Sequence, residues 1–157
     1  MPRKFFDKYL PTEKKIRKYK ILKIFGETLY QKGLWDTSRK TIILSIFISL
    51  FIALQPIPFQ MIIVSFLAIV FKFNLPISLL MVWITNPLTM PIIYYIEYNI
   101  GSFFLKNNTI NRDFSIEFIN NNFFDIATQL YIGSFIFGII VSLIISIIFN
   151  YYWKKNE

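Results

Sequence analysis

The chain has 157 residues and a mass of 18.7 kDa, which limits it to one domain. Hydrophobic residues make up 55% and charged residues 17%, with a mean hydropathy of +0.50, a balance that disfavours an ordinary water-soluble fold. With no Cys and no His, thiol catalysis, disulfides, the usual zinc sites and His-based acid–base chemistry are excluded, so neither metal nor cofactor is expected.

Charge is uneven along the chain. Residues 1–40 hold twelve Lys/Arg and four Asp/Glu, whereas residues 41–157 hold five of each, so the net charge of +8 lies on the first quarter. In this basic cytoplasmic arm Thr12 can cap a helix beginning at Glu13. Ile16, Ile21, Leu22, Ile24, Phe25 and Leu29 gather toward one side, and Lys14, Lys15, Lys18, Lys20 and Lys23 fill much of the rest. A basic amphipathic helix suits a membrane surface. A nucleic-acid-binding arm or a protein-docking helix would look similar, but tethering at the bilayer favours anionic lipid headgroups as the partner and no nucleic acid. Trp35 suits the interface, with Arg39 and Lys40 facing lipid phosphates.

Three stretches then lack any charge: Thr41–Phe71, Phe73–Ile96 and Ile126–Trp153. Runs of this length signal membrane segments. No cleavable signal peptide is expected, and Thr41–Leu54 would act as an uncleaved anchor. One helix over Thr41–Phe71 would be about 46 Å long, beyond the roughly 30 Å of hydrocarbon yet too short for two spans. Pro56 and Pro58 interrupt it, and Pro87 and Pro91 interrupt the second run. Each proline removes an N–H, orphaning the carbonyls of Ile52, Leu54, Trp83 and Pro87. Such groups need partners in lipid. Gln55 and Gln60 flank the first break, and Thr85, Asn86 and Thr89 the second.

Gln55-Pro56-Ile57-Pro58 matches Asn86-Pro87-Leu88-Thr89 at an offset of 31 residues, a weak repeat of a helix–break–helix unit. Paired broken helices build midplane sites in transporters. Kinked or re-entrant helices whose amides repair the backbone are the plainer alternative. Asn74 and Thr89 each precede a proline by two residues, Pro76 and Pro91, the spacing of an N-cap before a first-turn Pro. The third run is unbroken by Pro, with Asp125 as N-cap and Tyr151, Tyr152 and Trp153 as an interfacial belt before Lys154 and Lys155. Gly133 and Gly138 allow close packing but lack GxxxG spacing.

The resulting expectation is an all-α membrane protein. Its parts are the arm 1–40, a membrane core 41–105 of two Pro-broken (re-entrant or kinked) units, a polar loop 106–125, one plain transmembrane helix 126–153 and a basic tail 154–157. The positive-inside rule puts both termini in the cytoplasm, so 41–105 must cross an odd number of times. One re-entrant or hairpin unit plus one spanning unit satisfies this.

Several segments resemble a bacterial membrane family catalogued as domain of unknown function 2062. They are Leu50-Phe51-Ile52-Ala53-Leu54-Gln55-Pro56-Ile57-Pro58-Phe59-Gln60-Met61, Leu67-Ala68-Ile69, Asn74-Leu75-Pro76, and Trp83-Ile84-Thr85-Asn86-Pro87-Leu88-Thr89-Met90-Pro91. Leu34, Trp35, Arg39, Tyr94, Tyr95, Tyr98 and Gly101 also fit, so the likeness spans roughly Pro11 to Leu105. Phe59 stands where the resemblance implies Gly, which argues against a tight left-handed turn there. The resemblance implies an integral inner-membrane protein without an established activity. Some members are joined to glycosyltransferase-like domains, which points to cell-envelope work.

Candidate polar-site residues are therefore Gln55, Gln60, Thr85, Asn86, Thr89 and Glu97. Glu97 is the only carboxylate between Asp36 and Asp113, and an ionisable group at membrane depth is a functional candidate by default. It could instead lie at the interface, solvated or paired with Lys72. No carboxylate pair or nucleophile–base spacing assembles, so an enzyme is not expected. The leading expectation is transport or translocation of a lipid or small anionic solute in envelope biogenesis. The alternative is a scaffold for a glycosyltransferase or other envelope enzyme, or a homo-oligomer.

Overall fold

The computed structural model describes residues 10, 12–105 and 122–155, and these contain helices and turns without strands. Most of the loop 106–125, the end of the tail and the first residues of the arm lie outside this range. Helix α1 covers Glu13–Ile16, α2 Arg39–Ala53, α3 Gln60–Phe71, α4 Leu75–Val82, α5 Met90–Phe104 and α6 Phe123–Lys155.

The arm departs from the expected single amphipathic helix. After the one turn of α1 it continues as 3-10 turns over Lys20–Tyr30 and Lys32–Trp35, broken at Gly26, whose φ is 53°. Its apolar residues close a core of the protein instead of lying together on a lipid surface. Ile16, Leu22, Leu29 and Leu34 pack with Ala68, Phe73, Leu75 and Leu79, while Ile21 and Ile24 are exposed. Lys15, Lys18, Lys20 and Lys23 remain exposed. Arg17 pairs with Glu27 at 3.1 Å and stacks 3.8 Å above the Tyr30 ring. The Trp35 indole donates to the Leu29 carbonyl at 3.0 Å, anchoring the end of the arm.

Both proline breaks are real interruptions. Helix α2 stops at Ala53 and α3 starts at Gln60; α4 stops at Val82 and α5 starts at Met90. Phe59 nevertheless takes the left-handed conformation (φ 60°, ψ 31°), so the turn survives a bulky side chain. Two-thirds exposed (66%), the ring meets little steric resistance beyond its own backbone.

The chain then folds back. The Asn74 amide donates to the Asp36 carbonyl at 2.9 Å, bringing the exit of α3 beside the entrance of α2. Asn74 also caps α4 as its spacing implies, accepting from Ile77 N–H at 3.0 Å, with Pro76 in the first turn. Thr89 does not do the same for α5. It occupies the N-cap position without a forward side-chain bond.

Helix α6, about 50 Å long, is the element against which the others align. It is the one helix among the described residues long and apolar enough to cross a membrane. It starts two residues before Asp125, which sits in the first turn instead of capping it. Antiparallel α2 covers its second half and antiparallel α5 its first half. At the far end Tyr151 and Tyr152 are exposed, but Trp153 turns inward onto Ile42, Ile46 and Ile77, so it is a core residue and not part of a belt.

Candidate functional site

At the first break the side chains serve the interrupted backbone. Gln55 donates to the carbonyls of Phe51 (3.1 Å) and Ser134 (3.3 Å), and its oxygen accepts from the Ser134 hydroxyl at 3.2 Å. Gln60 donates to the carbonyls of Ala53 (3.0 Å) and Gln55 (2.7 Å). The Ile52 carbonyl, orphaned by Pro56, accepts Gln55 N–H at 3.1 Å, and the Pro56 carbonyl accepts the Tyr131 hydroxyl at 3.0 Å.

The second break makes its own turn. Asn86 Oδ1 accepts the N–H groups of Leu88 (2.9 Å) and Thr89 (3.2 Å), an Asx turn, and Asn86 Nδ2 reaches the Trp83 carbonyl that Pro87 leaves open. Thr89 Oγ1 accepts Asn86 N–H at 3.0 Å and donates to the Ile84 carbonyl at 2.6 Å. These bonds are local, so Asn86 and Thr89 hold the loop between α4 and α5 together.

One bond joins the breaks: Thr85 Oγ1 lies 3.1 Å from Gln60 Oε1, both side chains buried. Of the six candidates, Gln55, Gln60 and Thr85 therefore meet in one buried polar junction with Ser134. Asn86 and Thr89 stay in their own turn, and Glu97 lies apart. The amides of this junction are bonded within the protein, a closed network with low desolvation cost in an apolar setting.

Glu97 is fully buried (0% exposed) between α5 and α6, and neither carboxylate oxygen has a hydrogen-bond partner among the described residues. It is neither solvated nor paired with Lys72. The helices touch there through glycines: a Cβ on Gly133 would overlap the Glu97 carbonyl, and one on Gly101 would overlap the Gln129 carbonyl. Among the described residues no three His, Cys, Asp or Glu side chains converge as metal ligands.

The proline breaks give no sign of the α6 side of the site. Ser134, Gly138, Ser142 and Ser146 recur at four-residue spacing and are buried, a small-residue stripe that lets α2 approach closely. Counting Ser with Gly would have exposed it. The segment Ile100-Gly101-Ser102-Phe103 also recurs as Ile132-Gly133-Ser134-Phe135, which marks the α5–α6 crossing in the sequence itself.

No curated protein and no solved structure matches the chain. A model of bacterial proteins described as uncharacterised, DUF2062, matches residues 22–157, which carries the likeness beyond Leu105 through the whole of α6. With all of α2 to α6 inside that match, the chain belongs to the DUF2062 family of uncharacterised bacterial proteins.

Proposed function

We propose that this chain is a non-catalytic, multi-pass protein of the bacterial inner membrane whose broken helices translocate a lipid or small anionic solute in envelope biogenesis. The observation that carries the reading is the buried Gln60–Thr85 contact, at which two discontinuous helical pairs meet against α6. At about 22, 18, 12 and 22 Å, helices α2 to α5 are each shorter than roughly 30 Å of hydrocarbon. Half-length helices suit lipid only where their open ends are buried together.

The fold-back of Asn74 onto Asp36 supports α2–α3 as a re-entrant hairpin, α4–α5 as a broken crossing and α6 as the return crossing. Arg39, Lys40, Lys72, Lys154 and Lys155 then lie toward one end, the cytoplasmic one by the positive-inside rule, together with the exposed lysines of the arm. Single cysteines at Lys72, Phe124 and Lys155 test this, since the native chain has none. In intact cells an impermeant reagent should label Phe124→Cys alone. Labelling of Lys72→Cys from outside would reject the re-entrant hairpin.

A scaffold for an envelope enzyme or for a second copy of the chain is the competing reading, favoured by the closed hydrogen bonding of Gln55 and Gln60. A deletion strain screened against envelope antibiotics and lipid inhibitors, complemented with Thr85→Val, separates the two. Translocation through the junction requires loss of complementation at normal protein levels. Full complementation supports the scaffold.

A further inference from the structure

A separate feature lies between α2 and the second half of α6. There a groove of about 680 Å³ runs between apolar walls of Ile43, Phe47 and Leu143, with Arg39 and Lys40 at its outer end. Its volume falls within the roughly 300–1,000 Å³ of small-molecule sites. We infer that this groove seats one anionic phospholipid, its phosphate against Arg39 and Lys40 and an acyl chain along the apolar walls.

Charge and orientation carry the argument first. The Arg39 guanidinium is held in place by Asn150, whose Oδ1 accepts from Nε at 2.8 Å and from Nη2 at 2.7 Å. A planar cation fixed in advance loses little freedom when a phosphate arrives. Lys40 is exposed beside it, and both stand at the positive N-terminal end of the 15-residue helix α2. Lys154 and Lys155 follow Asn150 by one turn and add positive potential at the same end.

The second argument is depth. From Arg39 to Phe47 the groove runs about 12 Å along α2, from headgroup level into hydrocarbon. Free phosphate would leave these walls bare, and a protein segment would not call for this order of cations and apolar wall.

The assignment rests on the membrane reading above and places a bound lipid at a site separate from the Gln60–Thr85 junction. The test uses the full chain purified in mild detergent, offered phosphatidylglycerol and phosphatidylcholine, with retained lipid read by native mass spectrometry. The expected result is one phosphatidylglycerol per chain, preferred over phosphatidylcholine and not displaced by excess inorganic phosphate. Each cation near a membrane surface is worth about fivefold, so Arg39→Gln with Lys40→Gln should cut the preference about 25-fold. Leu143→Trp fills the groove and should abolish retention of both lipids. Ile43→Trp repeats that arm if Leu143→Trp does not remain helical and monodisperse. An unchanged preference in the Arg39→Gln, Lys40→Gln variant, displacement by inorganic phosphate, or a second chain occupying the groove would overturn the assignment. Cysteine labelling of the same chain separates the outcomes. A re-entrant pattern without lipid retention rejects the groove alone, and lipid retention without that pattern rejects the topology alone.

Discussion

Gly101 on α5 and Gly133 on α6 occupy reciprocal positions: each faces the backbone carbonyl of the residue four places before the other, Gln129 and Glu97. The two helices are thus in backbone contact, and Glu97 is enclosed where they cross. A methyl group at either glycine has nowhere to go but into a carbonyl oxygen, and backbone cannot swing aside as a side-chain tip can. Gly101→Ala and Gly133→Ala should each cost about 3 kcal/mol, at the upper end of overpacking penalties. Gly138→Ala should cost less, because its obstacle is the movable Gln55 amide at 2.8 Å. Gly33→Ala, with nothing within 4 Å, is the neutral control. Thermal unfolding in detergent gives the ranking, and equal midpoints for all four would refute the crossing.

Phe59 holds a backbone conformation that costs a non-glycine residue about 1–2 kcal/mol. Phe59→Gly should therefore raise stability by about 1 kcal/mol, the residual gain after the added freedom of the unfolded chain is subtracted. Phe59→Val should lower it, since a β-branched side chain tolerates positive φ least. A fall in unfolding temperature with Gly would mean that the ring makes a contact worth more than the strain.

Asn74 performs two tasks with one amide, accepting from Ile77 and donating to Asp36. Asn74→Ala loses both and should cost about 2 kcal/mol, at the upper end of the range for an N-cap. Asn74→Asp keeps the cap and loses the donor, so its loss should be smaller. If Asp and Ala prove equally damaging, the link to Asp36 matters more than the cap.

The Glu97 carboxyl is buried without hydrogen bonds to the described residues, an arrangement that costs about 1–3 kcal/mol or more. Glu97→Met has similar length and no polar atoms to satisfy, so it should stabilise the chain by about that amount in detergent. Destabilisation would instead show that the carboxyl has a partner beyond the described residues.

Much of the local structure was legible from neighbouring residues alone. Pro56, Pro58 and Pro87 remove N–H groups and clash with the preceding turn, so α2 and α4 had to end before them whatever surrounds them. Asn74 two places before Pro76 sets a helix start by the same short-range logic, and the unbroken apolar run after Asp125 could only be one long helix. Tertiary packing decided the rest. Gln60 finds Thr85 across 25 residues, and Asn74 finds Asp36 across 38. Trp153 turns from an aromatic end into the core, the arm gives its leucines to α3 and α4, and Phe59 accepts a strained φ because the hairpin around it closes. Propensity and sterics act over a few residues, whereas the faces that meet depend on which pairings bury the most surface and satisfy the most backbone at once. That choice also enclosed Glu97 with no partner among the described residues and opened the groove beside Arg39, and neither is written in any single stretch of the chain.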